Sequence, residues 1–174
     1  MKLKPLVVAL TFVLLCGASG YAQSDREVHA MAVRAVRTGN NDSAFMYFRS
    51  LLETYADSKY TEEALFATAE YYFTKQDYRD AYHSFMKFID TYPDSKAYLF
   101  ALSYVFNIAE KLGKDSLLEN VKRELVNRKQ QVFLFKASKE AKYRSPFLRM
   151  HKVIYYIDKI EFYVDDTLLE KISF

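Results

Sequence analysis

The tract TYADSK at residues 54–59 returns as TYPDSK at residues 91–96, and each copy leads into an alanine- and tyrosine-rich stretch. Shifting the chain along itself by 37 residues puts Ala44 on Ala81, Phe48 on Phe85, Leu51 on Phe88 and Tyr55 on Tyr92. The same shift puts Ala64 and Leu65 on Ala101 and Leu102. The matched positions follow helical spacing: Ala44, Phe48, Leu51 and Leu52, then Ala81, Phe85, Phe88 and Ile89. Self-similarity at a period of roughly 20–50 residues marks stacked units, each too small to bury its apolar face alone.

Local signals divide the chain at the same places. Ser24 with Glu27 forms a capping box, and Gly39 suits the end of the helix it opens. Asp42 or Ser43 opens a second helix that ends near Tyr55. Ser58 or Thr61 opens a third, with Glu62 and Glu63 in its first turn, running to about Lys75. Asp77 opens a fourth, which ends before Pro93; Ser95 opens a fifth, stopped by Gly113; a sixth spans about Asp115 to Arg128. Six helices joined by short polar turns predict three antiparallel hairpins.

From Glu62 to Pro93 the residues resemble a tetratricopeptide repeat: Leu65, Ala69 and Tyr72 on one helix, Tyr78, Ala81 and Phe85 on the next, and Pro93 at the close. Small residues stand where the helices cross closely, and aromatics fill the space around them. The flanking units are weaker. The first keeps Ala32, Ala44 and Phe48 but has Ala56 where proline would stand; the third has Leu118 at its second small position. The long loops with the TYPDS pattern are similar to those of the BamD-like and CpoB (YbgF)-like exported bacterial repeat proteins. That resemblance covers about Ser24 to Arg128. It implies a non-catalytic periplasmic scaffold that binds proteins during assembly or maintenance of the cell envelope and outer membrane.

The first 22 residues, with two lysines, an apolar run from Leu6 to Leu15 and small residues at Gly20 and Ala22, read as a signal peptide cut before Gln23. Lipid attachment at Cys16 is the other reading, although Leu15 stands where a small residue is wanted. Cys16 is the only cysteine, so the exported chain is expected to form no internal disulfide. Without Lys2 and Lys4, 23 basic residues face 22 acidic ones. Ten basic residues and two acidic ones lie between Lys122 and Lys152. This basic stretch reads as a solvated surface or as a patch for an anionic lipid, a cell-wall polymer or an acidic partner. Nucleic acid is not an expected partner of an exported chain.

The expected organisation is a signal peptide (1–22), a helical repeat domain (23–129) and a small β-rich domain (130–174). In the last, QVFLF (131–135), KVIYYI (152–157), KIEFYV (159–164) and LLEKISF (168–174) are β-branched and aromatic, and Asp165-Asp166-Thr167 is a turn candidate. The fold class is therefore mainly α: about three stacked hairpins followed by an antiparallel meander. A helical continuation through KASKEAKYR stands as the alternative for the first part of the tail.

No constellation for catalysis emerges. His29, His83 and His151 lack ligand spacing and read as surface or boundary residues. Glu62-Glu63 reads as a helix first turn, and Ser145 before Pro146 has no nucleophile elbow around it. No enzyme activity, cofactor, metal or small-molecule substrate is expected. The tyrosine-rich helices instead suggest an aromatic groove for a protein or peptide, formed by Tyr72, Phe73, Tyr78, Tyr104 and Asn107. The competing site for a membrane surface or cell-wall polymer is the basic set Lys136, Lys139, Lys142, Arg144 and Arg149.

Overall fold

The computed structural model of the chain describes residues 23–135 and 139–174. The expected signal peptide, Cys16 and Lys136 lie outside them. Six helices come first: α1 (Asp25–Arg37), α2 (Asn41–Thr54), α3 (Thr61–Thr74), α4 (Tyr78–Thr91), α5 (Tyr98–Lys111) and α6 (Asp115–Phe135). Four strands follow: β1 (Glu140–Arg144), β2 (Met150–Tyr155), β3 (Lys159–Val164) and β4 (Thr167–Ser173). Each helix packs chiefly on its neighbours in sequence, and the strands form one antiparallel sheet in the order β1-β2-β3-β4.

The 37-residue period is physical. Gly39, Gln76 and Gly113 stand at equivalent positions between the helices of the three hairpins, and all three are left-handed, with φ of 74°, 62° and 63°. Behind each, the next N–H reaches back to close the helix: Asn40 to Ala35 O, Asp77 to Tyr72 O and Lys114 to Ala109 O, all at 2.9 Å. Asn40 and Asp77 then cap α2 and α4 with their side chains.

The doubled TY-x-DSK is a clamp on each hairpin. Ser58 donates to Asp25 Oδ2 at 2.7 Å, and Ser95 donates to Glu62 Oε1 at 2.7 Å. Tyr55 bonds to Gln23 O, and Tyr92 donates to Thr61 Oγ1 at 2.8 Å. Each loop thus ties the end of a hairpin's second helix to the start of its first. Neither serine caps the following helix, as the sequence suggests it should. The N-caps of α3 and α5 are Tyr60 and Ala97, without side-chain bonds, while the serine oxygens accept from the N–H of the same residues, Tyr60 and Ala97. Similarly, α2 is capped by Asn40 and not by Asp42 or Ser43.

The core obeys the repeat: Ala44 and Ala81, Phe48 and Phe85, Leu51 and Phe88 are all fully buried. Phe66 lies edge-on to both Phe85 and Phe88, at 5.7 and 5.4 Å between ring centres.

QVFLF is not a strand. Residues 131–135 complete α6, which runs seven residues past Arg128. Val121, Leu125 and Val132 are buried at spacings of four and seven, so the helical period outweighs the β-branched and aromatic content. The other three strands form close to where they are expected, joined by β1 at Glu140–Arg144. Asp165 and Asp166, with φ of 49° and 61°, make the two-residue turn between β3 and β4.

Candidate functional site

Strand alternation gives the sheet one apolar face. His151, Val153 and Tyr155 of β2 oppose Val164, Phe162 and Ile160 of β3, and Ile172 of β4 extends the set. This face lies on α3 and α5, the first helices of the second and third hairpins. Phe100 of α5 meets Tyr143, His151 and Phe162, and Phe66 of α3 meets Tyr143 and His151.

A polar cluster sits inside the contact. Glu70 of α3, Tyr104 of α5 and His151 of β2 are essentially inaccessible to solvent. His151 Nε2 lies 2.9 Å from the Tyr104 hydroxyl and 3.3 Å from Glu70 Oε1. Arg149 approaches Glu70 at 3.9 Å and donates from Nε to Asp165 Oδ2 at 3.2 Å. Burial, reinforced by the nearby Glu70 carboxylate, pushes the Tyr104 hydroxyl well above its ordinary pKa. Burial, partly offset by the Arg128 charge, carries Tyr155 up to about 12. At the other end of the seam, Asn107 donates to Glu170 Oε2 at 2.9 Å and to Leu169 O at 3.3 Å. Burial and the adjacent Glu170 raise the Glu110 carboxyl. Whatever surface α3 and α5 could offer a partner here is held by the chain's own sheet.

The expected groove residues are divided by this arrangement. Phe73, Tyr78 and Tyr104 form one aromatic run, with ring centres 5.7 Å (Phe73–Tyr78) and 4.7 Å (Phe73–Tyr104) apart. Phe73 and Tyr78 keep some accessible surface, Tyr104 has none, and Asn107 is half-buried under β4. Tyr72 points elsewhere, into a cleft of about 310 Å³ with Arg49, Leu65 and His83. His151, expected at the surface, is fully buried, because strand alternation turns it toward α3 and α5. Its alternation with Val153 and Tyr155 is the signal that could have found it.

The basic set does not form one patch either. Lys142 pairs with Glu140 at 2.8 Å, Arg149 is engaged at the seam, and Lys139 donates to Val132 O and Phe133 O at the end of α6. Arg144 instead lines an open cleft of about 470 Å³ between α1, the start of α3 and the β1–β2 loop. Arg37, Lys59, Glu62, Glu63 and Leu148 share that cleft. Phe147 anchors the loop, edge-on to Phe48 at 6.0 Å and stacked near Tyr71 at 6.3 Å. Glu63 is engaged with His29 at 2.9 Å, and Glu62 with Ser95, so the acids of the cleft have partners within the repeat. Among the described residues, no three His, Cys, Asp or Glu side chains group as a metal site.

These features define a tetratricopeptide-like protein of three helical hairpins, partly covered by a C-terminal sheet. Over residues 21–142 the sequence matches the family described as YfiO, outer membrane lipoprotein. The chain belongs to that BamD-like family. The matched segment ends within β1, so β2–β4 lie beyond it. Among curated proteins, none matches the sequence.

Proposed function

We propose that this protein is a non-catalytic adaptor of the bacterial envelope that holds a protein or peptide partner during assembly or maintenance of the outer membrane. Membership of an outer membrane lipoprotein family supports the setting. A stack of helical hairpins supplies the extended binding surface that such a role needs. The partner's seat is the cleft beside the sheet, because the sheet already covers the α3–α5 part of the stack. Arg37, Lys59 and Arg144 are its polar anchors, and Val33 and Leu148 its apolar walls. Phe73 and Tyr78, next to Lys111, extend the contact surface at the far end of α3. The open cleft beside an occupied helical face is the observation that carries this reading.

The test is photocrosslinking in envelope fractions, with the reactive residue placed at Arg37, at Leu148 or at the exposed Met46 as control. One or two discrete adducts from the first two positions, unaffected by a high-salt wash and missing from Met46, are the expected result. Adducts of equal pattern at all three positions would sink the cleft assignment. Intact mass of the purified protein reports the mature end: a chain starting at Gln23 or a lipid-modified Cys16.

A further inference from the structure

Nine large apolar side chains are exposed among the described residues, and five of them gather at one end of the molecule: Phe133, Leu134, Tyr156, Ile157 and Phe174. Ile157 and Leu134 are the most open, at 86% and 75%. Three separate elements meet there. Phe133 and Leu134 end α6, Tyr156 and Ile157 form the β2–β3 turn, and Phe174 follows β4. The assembly is built rather than accidental. Lys129 Nζ donates to Ile157 O at 2.7 Å, and Phe174 N donates to Asp158 O at 3.0 Å. Phe133 and Ile157 face one apolar hollow of about 180 Å³.

Each ring of this end carries a lysine. Lys129 lies 4.2 Å from the Phe174 ring centre, Lys139 4.6 Å from that of Phe133 and Lys159 4.5 Å from that of Tyr156. Lys122 is a second cation over Phe174, at 6.0 Å. Against these four stand Asp158 in the turn and Glu161, which binds Lys159 at 2.7 Å. Apolar tips projecting from a turn and a helix end, with lysines around them, match a bilayer interface. The tips enter the acyl boundary while the ammonium groups stay among the headgroups. The lysines gathered over these rings favour anionic headgroups. No described helix is long and apolar enough to cross a membrane.

We propose that this end of the molecule docks on the surface of an anionic lipid bilayer. The contact stands apart from the partner cleft and does not depend on the adaptor role.

The chain has no tryptophan, so Tyr156→Trp introduces a single reporter at the docking tip. The probe is the unlipidated chain with vesicles of phosphatidylglycerol and phosphatidylethanolamine, and with phosphatidylcholine alone. Expected are a blue shift and quenching by brominated lipid with the anionic vesicles, and weaker binding to phosphatidylcholine. Adding Leu134→Asp and Ile157→Asp should weaken vesicle binding by about tenfold or more, since two apolar tips are lost from the interface. Both sites are exposed, and an unchanged melting curve confirms the fold. Vesicle binding indifferent to the aspartates, or no binding to anionic vesicles, overturns the proposal. So does a concentration-dependent dimer abolished by the same aspartates without any lipid binding, which would assign the patch to a second copy of the chain. Crosslinking at Arg37 that survives these aspartates separates this failure from that of the adaptor reading.

Discussion

The hairpin stack and the seam between stack and sheet are both buried, but they are made differently. Inside the stack, buried polar groups are closed within their own helix: Thr68 donates to Ala64 O at 2.8 Å and Ser103 to Phe100 O at 2.7 Å. Along the seam, Glu70 Oε2, Asn107 Oδ1, Ser145 Oγ, His151 Nδ1 and Tyr155 OH are buried without a protein hydrogen-bond partner. Every such atom among the described residues lies on or beside the seam. A buried polar group without a partner costs about 1–3 kcal/mol, so burial here stabilises less per unit area than in the stack. The sheet's apolar face shares one buried cluster with α3–α6, and its polar closure is where it is expected to hold less firmly than the stack. The largest effect should therefore come from the stack. Phe85→Ala removes a ring packed on Phe66 and Tyr104, at 5.7 and 4.6 Å, and should cost about 3–5 kcal/mol in urea unfolding. A loss below 1 kcal/mol would mean that the repeats are not the core of the fold.

The seam answers a different substitution. His151→Leu alone leaves the buried Glu70 carboxylate with the Tyr104 hydroxyl at 3.5 Å and Arg149 at 3.9 Å, and should cost about 1–3 kcal/mol. Adding Glu70→Leu and Tyr104→Phe removes the stranded polar atoms and should recover most of that loss, since apolar replacement of a whole buried cluster is often neutral or better. Hydrogen exchange offers a second check: amides of β2–β4 should open at lower free energy than those of α3 and α4. If the sheet and the stack exchange as one unit, the contrast between them is lost.

The same contrast governs what the sequence makes legible. Repetition is a local signal multiplied, so the helices, their short turns and the buried positions of Phe48, Phe85, Leu51 and Phe88 can be read from the 37-residue shift. The seam is written once, by residues far apart in the chain: Glu70, Tyr104 and His151 have no common pattern that would bring them together. Tyr104 and Asn107 are expected on α5 to line a groove, but nothing local says that the sheet lies over them. The strand reading of residues 131–135 fails for a related reason: composition suggests β structure, whereas the spacing of Val121, Leu125 and Val132 extends the helix. The same shift places Gln76 on Gly39 and Gly113.

That position yields a smaller, oppositely signed prediction. Gln76 is held at φ 62°, where a side chain collides with its own backbone and glycine does not. Gln76→Gly should make the middle turn match its neighbours and raise stability by about 1 kcal/mol, less the entropy glycine adds to the unfolded chain. Thermal unfolding decides the sign. A destabilised variant would mean that the Gln76 side chain contributes contacts outweighing its strain.

The smallest effect tests the clamp that the repeated motif forms. The Ser58 hydroxyl, with the Arg26 N–H, holds the Asp25 carboxyl below its ordinary value of 3.8. A carboxyl lowered in the folded state stabilises the protein above its unfolded pKa, and that contribution is lost as pH falls through the folded value. Ser58→Ala should therefore raise the Asp25 pKa toward 3.8, as read by NMR titration. It should also destabilise the protein slightly at neutral pH, with the difference from wild type shrinking as Asp25 becomes protonated. Ser95→Ala, which breaks the equivalent bond to Glu62, should destabilise the protein slightly one repeat later. If Ser58→Ala leaves the Asp25 titration unmoved, Tyr55 alone closes the first hairpin, and the serine of the doubled motif acts only within its own loop through the Tyr60 N–H.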